Sequence, residues 1–178
     1  DQSAQQYIKA RDACADGGRD RTADVAATID ACGKVIETAG AAQADVVEAL
    51  KIRAKISLAN GRYDAAIGDY TQIMKLGVRD ASLFKFRADA YRRKPKCDLA
   101  VEDYDQVIRP NHKAADGMYS RGDAFVSLKD YASVALEYTR ATASDPARAE
   151  LAYKRGKAIG ETGDKDRAHD ATTDEIGL

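Results

Sequence analysis

The sequence predicts an all-α fold built from repeated helical hairpins. Three observations indicate this fold: a period of 34 residues, apolar positions at helical spacing within each period, and turn residues between the apolar stretches. An arginine column carries the period, and each of its members is followed by Ala or Gly: Arg53, Arg87, Arg121 and Arg155. A fixed period in this range is the signature of stacked repeats.

Each period contains two amphipathic segments. In the first segment, Leu50, Ala54 and Ser57 fall on one face at i, i+4 and i+7, which is helical spacing and not the alternation of a strand. The second segment has an apolar stripe made of Ala66, Ile67, Tyr70, Ile73 and Met74. Asn60-Gly61 supplies the turn between the two segments, and Gly77 ends the second. Each period therefore predicts two helices joined by a short turn.

The composition excludes several classes of protein. The 178 residues include 28 Lys plus Arg and 29 Asp plus Glu, a formal charge of -1, and 44% of them are hydrophobic. No stretch approaches the roughly 20 consecutive apolar residues that span a bilayer, so we expect no membrane insertion. The charge balance argues against a nucleic-acid partner, because neutralising phosphates takes a clearly basic face.

Catalytic and metal-binding motifs are missing from the sequence. The histidines are His112 and His169, and the sequence contains no C-x-x-C, no H-E-x-x-H and no calcium-loop spacing. The glycines form neither a phosphate-binding loop nor a dinucleotide fingerprint. We therefore expect no metal, no cofactor and no enzymatic activity.

The unit that runs from Leu50 to Val78 resembles the tetratricopeptide repeat. The residues that carry the resemblance are Tyr70 and the segment Gly61-Arg62-Tyr63-Asp64-Ala65-Ala66-Ile67. The resemblance implies a right-handed α-solenoid of about five helix-turn-helix repeats with a concave groove. We predict a single domain over 1–178, with a divergent hairpin at 1–46, repeats at 47–80, 81–114 and 115–148, and a partial or capping repeat at 149–178.

In the register of this family, Cys14 and Cys32 face each other across the divergent hairpin. The pair resembles that of periplasmic repeat proteins of Gram-negative bacteria, which implies a disulfide and a periplasmic location. The alternative is a pair of buried thiols in a cytoplasmic protein. A polar start without Met fits a mature chain after signal removal and a fragment equally well. Cys97, near the start of a second helix, is expected to be a replaced turn residue.

The arginine column has acidic counterparts 16 residues later: Asp69, Asp103 and Glu137. Each Arg lies on a first helix and can reach the acid on its own or the adjacent second helix. Arg155 has Ala171 in that place. Because the feature recurs from unit to unit, we interpret it as structural and not as a ligand site.

Ligands of this family usually lie in the groove lined by the first helices, and the residues facing it differ between units. The residues predicted to bind a partner are Lys51, Lys55, Lys85, Phe86, Asp89, Arg92, Tyr119, Asp123 and Tyr153. Basic residues beside aromatic ones suit an extended peptide with acidic and apolar side chains. The alternative is a solvated charged face. We expect substitution of Phe86 or Tyr119 to weaken binding and to leave the fold intact.

The carboxylate clamp of this family holds acidic C-terminal peptides of chaperones. Lys51 fits its basic role, but Lys55, Phe86, Asp116 and Ser120 stand where the clamp has Asn, Asn, Lys and Arg. The sequence therefore disfavours binding of a chaperone tail.

The sequence as a whole indicates a non-enzymatic scaffold that binds a protein or peptide, with a role in assembly or secretion at the bacterial envelope. Two alternatives stay open. One is a periplasmic carrier of a small molecule or lipid, and the other is a structural repeat protein that self-associates through its ends.

Overall fold

A computed structural model describes residues 1–20, 22–110 and 115–147 of the chain. Over these residues the protein consists of eight α-helices and contains no strand. The helices are α1 (Gln2–Arg19), α2 (Val25–Glu37), α3 (Gln43–Ala59), α4 (Tyr63–Lys75), α5 (Ala81–Arg93), α6 (Cys97–Ile108), α7 (Ala115–Ser127) and α8 (Tyr131–Ser144). The predicted all-α helical-repeat fold is confirmed. The predicted repeat 149–178 lies outside the described residues.

Short turns with the expected residues separate the helices. Gly61 (φ +73°) follows α3 and Gly77 (φ +93°) follows α4, and both adopt the left-handed conformation that glycine reaches without a steric penalty. Asp24 caps α2 by accepting hydrogen bonds from the backbone N–H groups of Ala26 and Ala27. These local signals fix where each helix begins and ends.

The chain divides into two compact units, Asp1–Ala90 and Tyr91–Leu178, with the boundary inside α5. In the first unit, α1 pairs with α2, α3 pairs with α4, and α3 also packs on α1 and α2. Helix α3 begins at Gln43, inside the segment predicted to be the divergent hairpin, because Val46 and Val47 contribute to the hydrophobic core of this unit. In the second unit, α7 pairs with α8 and packs on α6.

The tyrosine column of the sequence lies at the centre of the packing. Tyr70, Tyr104 and Tyr138 are all buried on second helices, α4, α6 and α8. A Cβ atom built on Gly122 of α7 would lie 2.6 Å from Cε1 of Tyr138, well inside van der Waals contact. The small residue after each Arg therefore gives the aromatic ring its space, at least in the α7–α8 hairpin.

A disulfide joins the two helices of the first hairpin. Cys14 lies on α1 and Cys32 on α2, as predicted, with their Cα atoms 4.8 Å apart and both side chains buried. Ala10, Ala31 and Val35 surround the bridge in a small core. The bridge fastens a hairpin whose core is built largely from small residues. Cys97 is a buried thiol at the first residue of α6.

We expect the double substitution Cys14→Ser/Cys32→Ser to lower the free energy of unfolding by about 3 kcal/mol, the magnitude associated with a loop of this length. Urea unfolding of the oxidised protein and of the variant measures the loss. Reductant should destabilise the wild type and leave the variant unchanged. Alkylation of the unfolded, unreduced protein should modify Cys97 alone, so three labelled thiols would contradict the bridge.

Candidate functional site

The arginine column forms ion pairs at the seams between helices. Arg53 donates from Nε and Nη2 to the carboxylate of Asp69 at 2.8 and 2.7 Å. Arg121 holds the carboxylate of Glu137 in the same way, with contacts of 2.8 to 3.1 Å. Both acids are buried, and the carboxylate of Asp69 raises the pKa of the Arg53 guanidinium above its usual value. These two predicted pairs are confirmed.

Each of these arginines also contacts the second helix of the preceding repeat. Arg121 Nη1 donates to Asp105, and Arg87 Nη1 donates to Thr71 Oγ1 at 3.0 Å. Both acceptors lie 16 residues before their arginine, as does Glu37, whose charge raises the pKa of Arg53. The guanidinium groups are thus used between helices, which agrees with the structural role predicted for them.

A cavity of about 600 Å³ lies in the first unit, on the face predicted to form a groove. Three of the predicted groove residues line it: Lys51 and Lys55 from α3, and Phe86 from α5. Its other lining residues come from α1, α3, α4 and α5: Ala15, Gly18, Arg19, Glu48, Ile52, Ile56, Tyr70, Ser82 and Leu83. The cavity therefore combines basic and apolar side chains.

Phe86 is the centre of this cavity. Its ring stacks on the buried ring of Tyr70 with centroids 6.0 Å apart. The ammonium groups of Lys55 and Lys85 each lie 5.7 Å from the centroid of Phe86, a distance at which a cation is attracted to an aromatic face. Lys85 also bonds to Asp89 at 3.0 Å, so these two predicted groove residues form an ion pair with each other.

The Tyr70 hydroxyl has no hydrogen-bond partner, although the side chain is only 1% exposed. Burial raises the pKa of Tyr70, with smaller contributions in the same direction from the charges of Asp89 and Asp69. The phenol therefore keeps its proton at neutral pH and acts as a hydrogen-bond donor. Such an orphan is unusual, since buried hydroxyl groups in native proteins are nearly always bonded.

The predicted groove residues of the second unit are engaged with one another and with the core. Asp123 accepts a hydrogen bond of 2.5 Å from the Tyr138 hydroxyl and another of 3.4 Å from Arg92 Nη1. Tyr119 stacks on Tyr138 with ring centroids 5.6 Å apart. Asp123 and Arg92 thus form internal contacts instead of an open ligand site. Tyr153 lies outside the described residues.

The expectation that Phe86 and Tyr119 are dispensable for the fold is wrong. Both rings are half-buried and both stack on a core tyrosine, Tyr70 in one unit and Tyr138 in the other. We expect Phe86→Ala to lower the free energy of unfolding by about 1–2 kcal/mol, less than the loss of a fully buried ring. Thermal and urea unfolding of the variant measure this, and an unchanged stability would contradict the stacking.

The sequence analysis missed two residues of the cavity, Arg19 and Tyr70. Arg19 comes from α1, whose packing on α3 cannot be read from a divergent repeat. Tyr70 was placed in the core, correctly, but its unsatisfied hydroxyl went unnoticed. A signal was available in the period: the residue 15 positions before Tyr138 is the acceptor Asp123, whereas the residue 15 positions before Tyr70 is Lys55.

No cluster of three or more His, Cys, Asp or Glu side chains able to hold a metal ion occurs among residues 1–20, 22–110 and 115–147. None of the helices that the structure describes is long and apolar enough to cross a membrane.

Comparison with known proteins identifies the repeat. The family model of the tetratricopeptide repeat matches residues 87–137. No curated protein is significantly similar to the chain. Among solved structures, the fold is similar to MamA, at TM-score 0.74 and 20% identity over 96% of this chain and 88% of that one. It is also similar to YrrB, a repeat protein with an unusual peptide-binding site, at TM-score 0.69 and 13% identity over 83% and 74%.

A third similar structure is the first repeat domain of Spaghetti (RPAP3) bound to the HSP90 peptide SRMEEVD. It has a TM-score of 0.60 and 25% identity, over 66% of this chain and 93% of that one. These likenesses agree with the helical hairpins and the 34-residue period described above.

Proposed function

The chain is a tetratricopeptide repeat protein, and we propose from this premise that it is a non-enzymatic scaffold that binds an extended segment of a partner protein in the cavity of its first unit. One observation carries the proposal: this cavity holds three of the predicted groove residues, Lys51, Lys55 and Phe86, in one place. Two of the similar structures are described as peptide-binding or peptide-bound, and the same use of the first helices is the simplest use of this cavity.

The first unit is better suited to a partner than the second. In the second unit, Asp123 already has two partners within the chain. In the first unit, Lys55 is exposed and Phe86 is half-buried, so a ligand can reach the charge and the ring together. A mixed basic and apolar surface of this kind suits an extended peptide, which gains affinity from a few anchors and does not require a deep pocket.

The bacterial envelope is the proposed compartment. The bridge between Cys14 and Cys32 supports it, because disulfides persist in oxidising compartments and are rare in the cytosol. The alternative is a cytoplasmic protein with two reduced thiols. Fractionation of native cells with thiol trapping at lysis distinguishes the two locations, and a protein recovered in the cytosol with three free thiols would overturn the proposal.

Affinity capture from native envelope and cytosolic extracts tests the scaffold. We expect the charge reversal Lys51→Glu/Lys55→Glu to lose a protein that the wild type retains, because both side chains line the cavity. The matched control is Lys75→Glu/Lys96→Glu, which reverses the same charge at two exposed positions outside the cavity lining.

Three other outcomes would contradict the proposal. Equal capture by wild type and the cavity variant would place the partner site elsewhere. A small molecule or lipid that co-purifies with the wild type alone, detected by mass spectrometry, would favour a carrier. A protein that captures only copies of itself, with a mass in light scattering above that of one chain, would favour self-association.

A further inference from the structure

We propose that the cavity of the first unit contains a subsite for a carboxylate side chain of an extended peptide, with the Tyr70 hydroxyl as donor and Phe86 as the platform for a neighbouring apolar side chain. The subsite rests on the proposed function, because it assumes that a peptide enters this cavity. It adds the chemistry that the peptide must carry.

The first argument is a difference between two repeats. In the α7–α8 hairpin, the buried Tyr138 hydroxyl donates to Asp123, which stands 15 residues before it. In the α3–α4 hairpin, the residue 15 positions before Tyr70 is Lys55, which has no acceptor to offer. The Tyr70 hydroxyl consequently has no partner. The same ring position is satisfied within the chain in one repeat and left open in the other.

The open position lies where a ligand can fill it. Tyr70 lines the cavity although its side chain is almost wholly buried, so its hydroxyl is beyond the reach of bulk water but borders the space that a ligand would occupy. An unmade hydrogen bond at a buried hydroxyl is costly, and an acceptor placed there gains both the bond and the relief of that cost. A protonated phenol requires an acceptor, and a carboxylate oxygen is the strongest one in peptides.

The charges around the cavity favour an anion. Arg19, Lys51 and Lys55 line it, against the single carboxylate of Glu48. Lys51 is only loosely paired, since its nearest carboxylate, that of Asp80, is 4.0 Å away. The other nearby acid, Asp89, raises the pKa of Tyr70 but is itself bonded to Lys85. Three cations facing one lining carboxylate leave an excess of two positive charges for the ligand to neutralise.

The size and lining of the cavity favour a peptide over a small anion. About 600 Å³ is much more than one carboxylate fills, and it is within the range of sites that bind larger ligands. Ile52, Ile56, Leu83 and Phe86 supply an apolar part beside the basic one. An acidic residue next to an aliphatic or aromatic one matches both parts, and the cavity is open to solvent, so the chain can continue on either side.

Selection from a random dodecapeptide library by mRNA display tests the subsite. Displayed peptides are joined to their nucleic acid through the C-terminus, so any carboxylate preference must come from side chains. We expect the enriched peptides to share Glu or Asp beside an apolar residue. For the best peptide, made synthetically with a C-terminal amide, replacing that acid by its amide should weaken binding about tenfold or more in fluorescence anisotropy.

Variants of the two central residues sharpen the test. Tyr70→Phe removes only the orphan hydroxyl, so we expect it to weaken the acidic peptide about tenfold, to affect the amide peptide little and to leave the melting temperature unchanged or higher. Lys55→Asp supplies the acceptor found in the other repeat and should abolish binding of the acidic peptide. The matched control is Tyr138→Phe, which should lower stability but not affinity.

The outcomes separate the subsite from the scaffold. Enriched peptides without a shared acid, or full affinity for Tyr70→Phe, would overturn the subsite and leave the scaffold intact. A library that yields no binder, while Lys51→Glu/Lys55→Glu still captures the native partner, would overturn both. Competition by hexanoate as strong as that by the peptide would show a site for free acids and would contradict the peptide assignment.

Discussion

Tyr104→Ala should lower the free energy of unfolding by about 3–5 kcal/mol, the range for removal of a large buried aromatic side chain. The side chain of Tyr104 is fully buried on α6. Truncation removes its packing and leaves a cavity that the surrounding helices can fill only in part. The tyrosine recurs in three successive repeats, and each copy is buried to the same degree, so this loss measures a feature of the whole array.

Urea unfolding followed by circular dichroism measures the effect of Tyr104→Ala. Leu136→Ala is the matched control, because Leu136 is also apolar and on a second helix but is 48% exposed. We expect the control to lose less than about 1 kcal/mol. A similarly small loss for Tyr104→Ala would mean that the tyrosine column does not lie in the core.

The second large effect is expected for Arg121→Met, at about 3–5 kcal/mol. Arg121 is 13% exposed and binds Glu137, which is 4% exposed. Without the guanidinium, the buried carboxylate of Glu137 keeps only Arg140, 3.6 Å away and half exposed. Most of the loss therefore comes from a charge left without its main partner in a place that water barely reaches.

The double variant Arg121→Met/Glu137→Leu isolates that cause. If the orphan carboxylate dominates, replacing it as well should restore much of the lost stability, and a double-mutant cycle measures the coupling. Lys34→Met is the control for an exposed ion pair, because Lys34 and Asp30 are each about two-thirds exposed, and pairs of that kind contribute about 1 kcal/mol or less. Equal losses for Arg121→Met and Lys34→Met would contradict the buried pair.

Sequence periodicity predicted the fold because the repeat averages local signals over several copies. An arginine, a small residue and a tyrosine recur at one spacing, so a departure in one unit is outweighed by agreement in the others. The ion pairs of Arg53 and Arg121 were predictable for the same reason. Their partners stand 16 residues away in the chain, and two antiparallel helices joined by a short turn bring such positions together.

The candidate site was only partly predictable. Lys51, Lys55 and Phe86 follow from helical register alone, and they line one cavity. The contribution of Arg19 depends on how α1 packs on α3, where the period has lapsed. The engagement of Asp123 by Tyr138 and Arg92 depends on side-chain contacts that a helical register cannot supply. Register gives the face on which a residue lies, but not whether a neighbour already occupies its polar atoms.

The double engagement of the arginines bears on how such an array grows and shortens. Each Arg bonds 16 residues forward to its own repeat and, at Arg87 and Arg121, 16 residues back to the one before. A duplicated or deleted segment of 34 residues carries one guanidinium together with one forward and one backward acceptor, wherever its ends fall. Genetic gain or loss of a full period thus preserves the match of donors to acceptors, whereas any other length leaves a buried charge unmatched and is selected against at the level of folding.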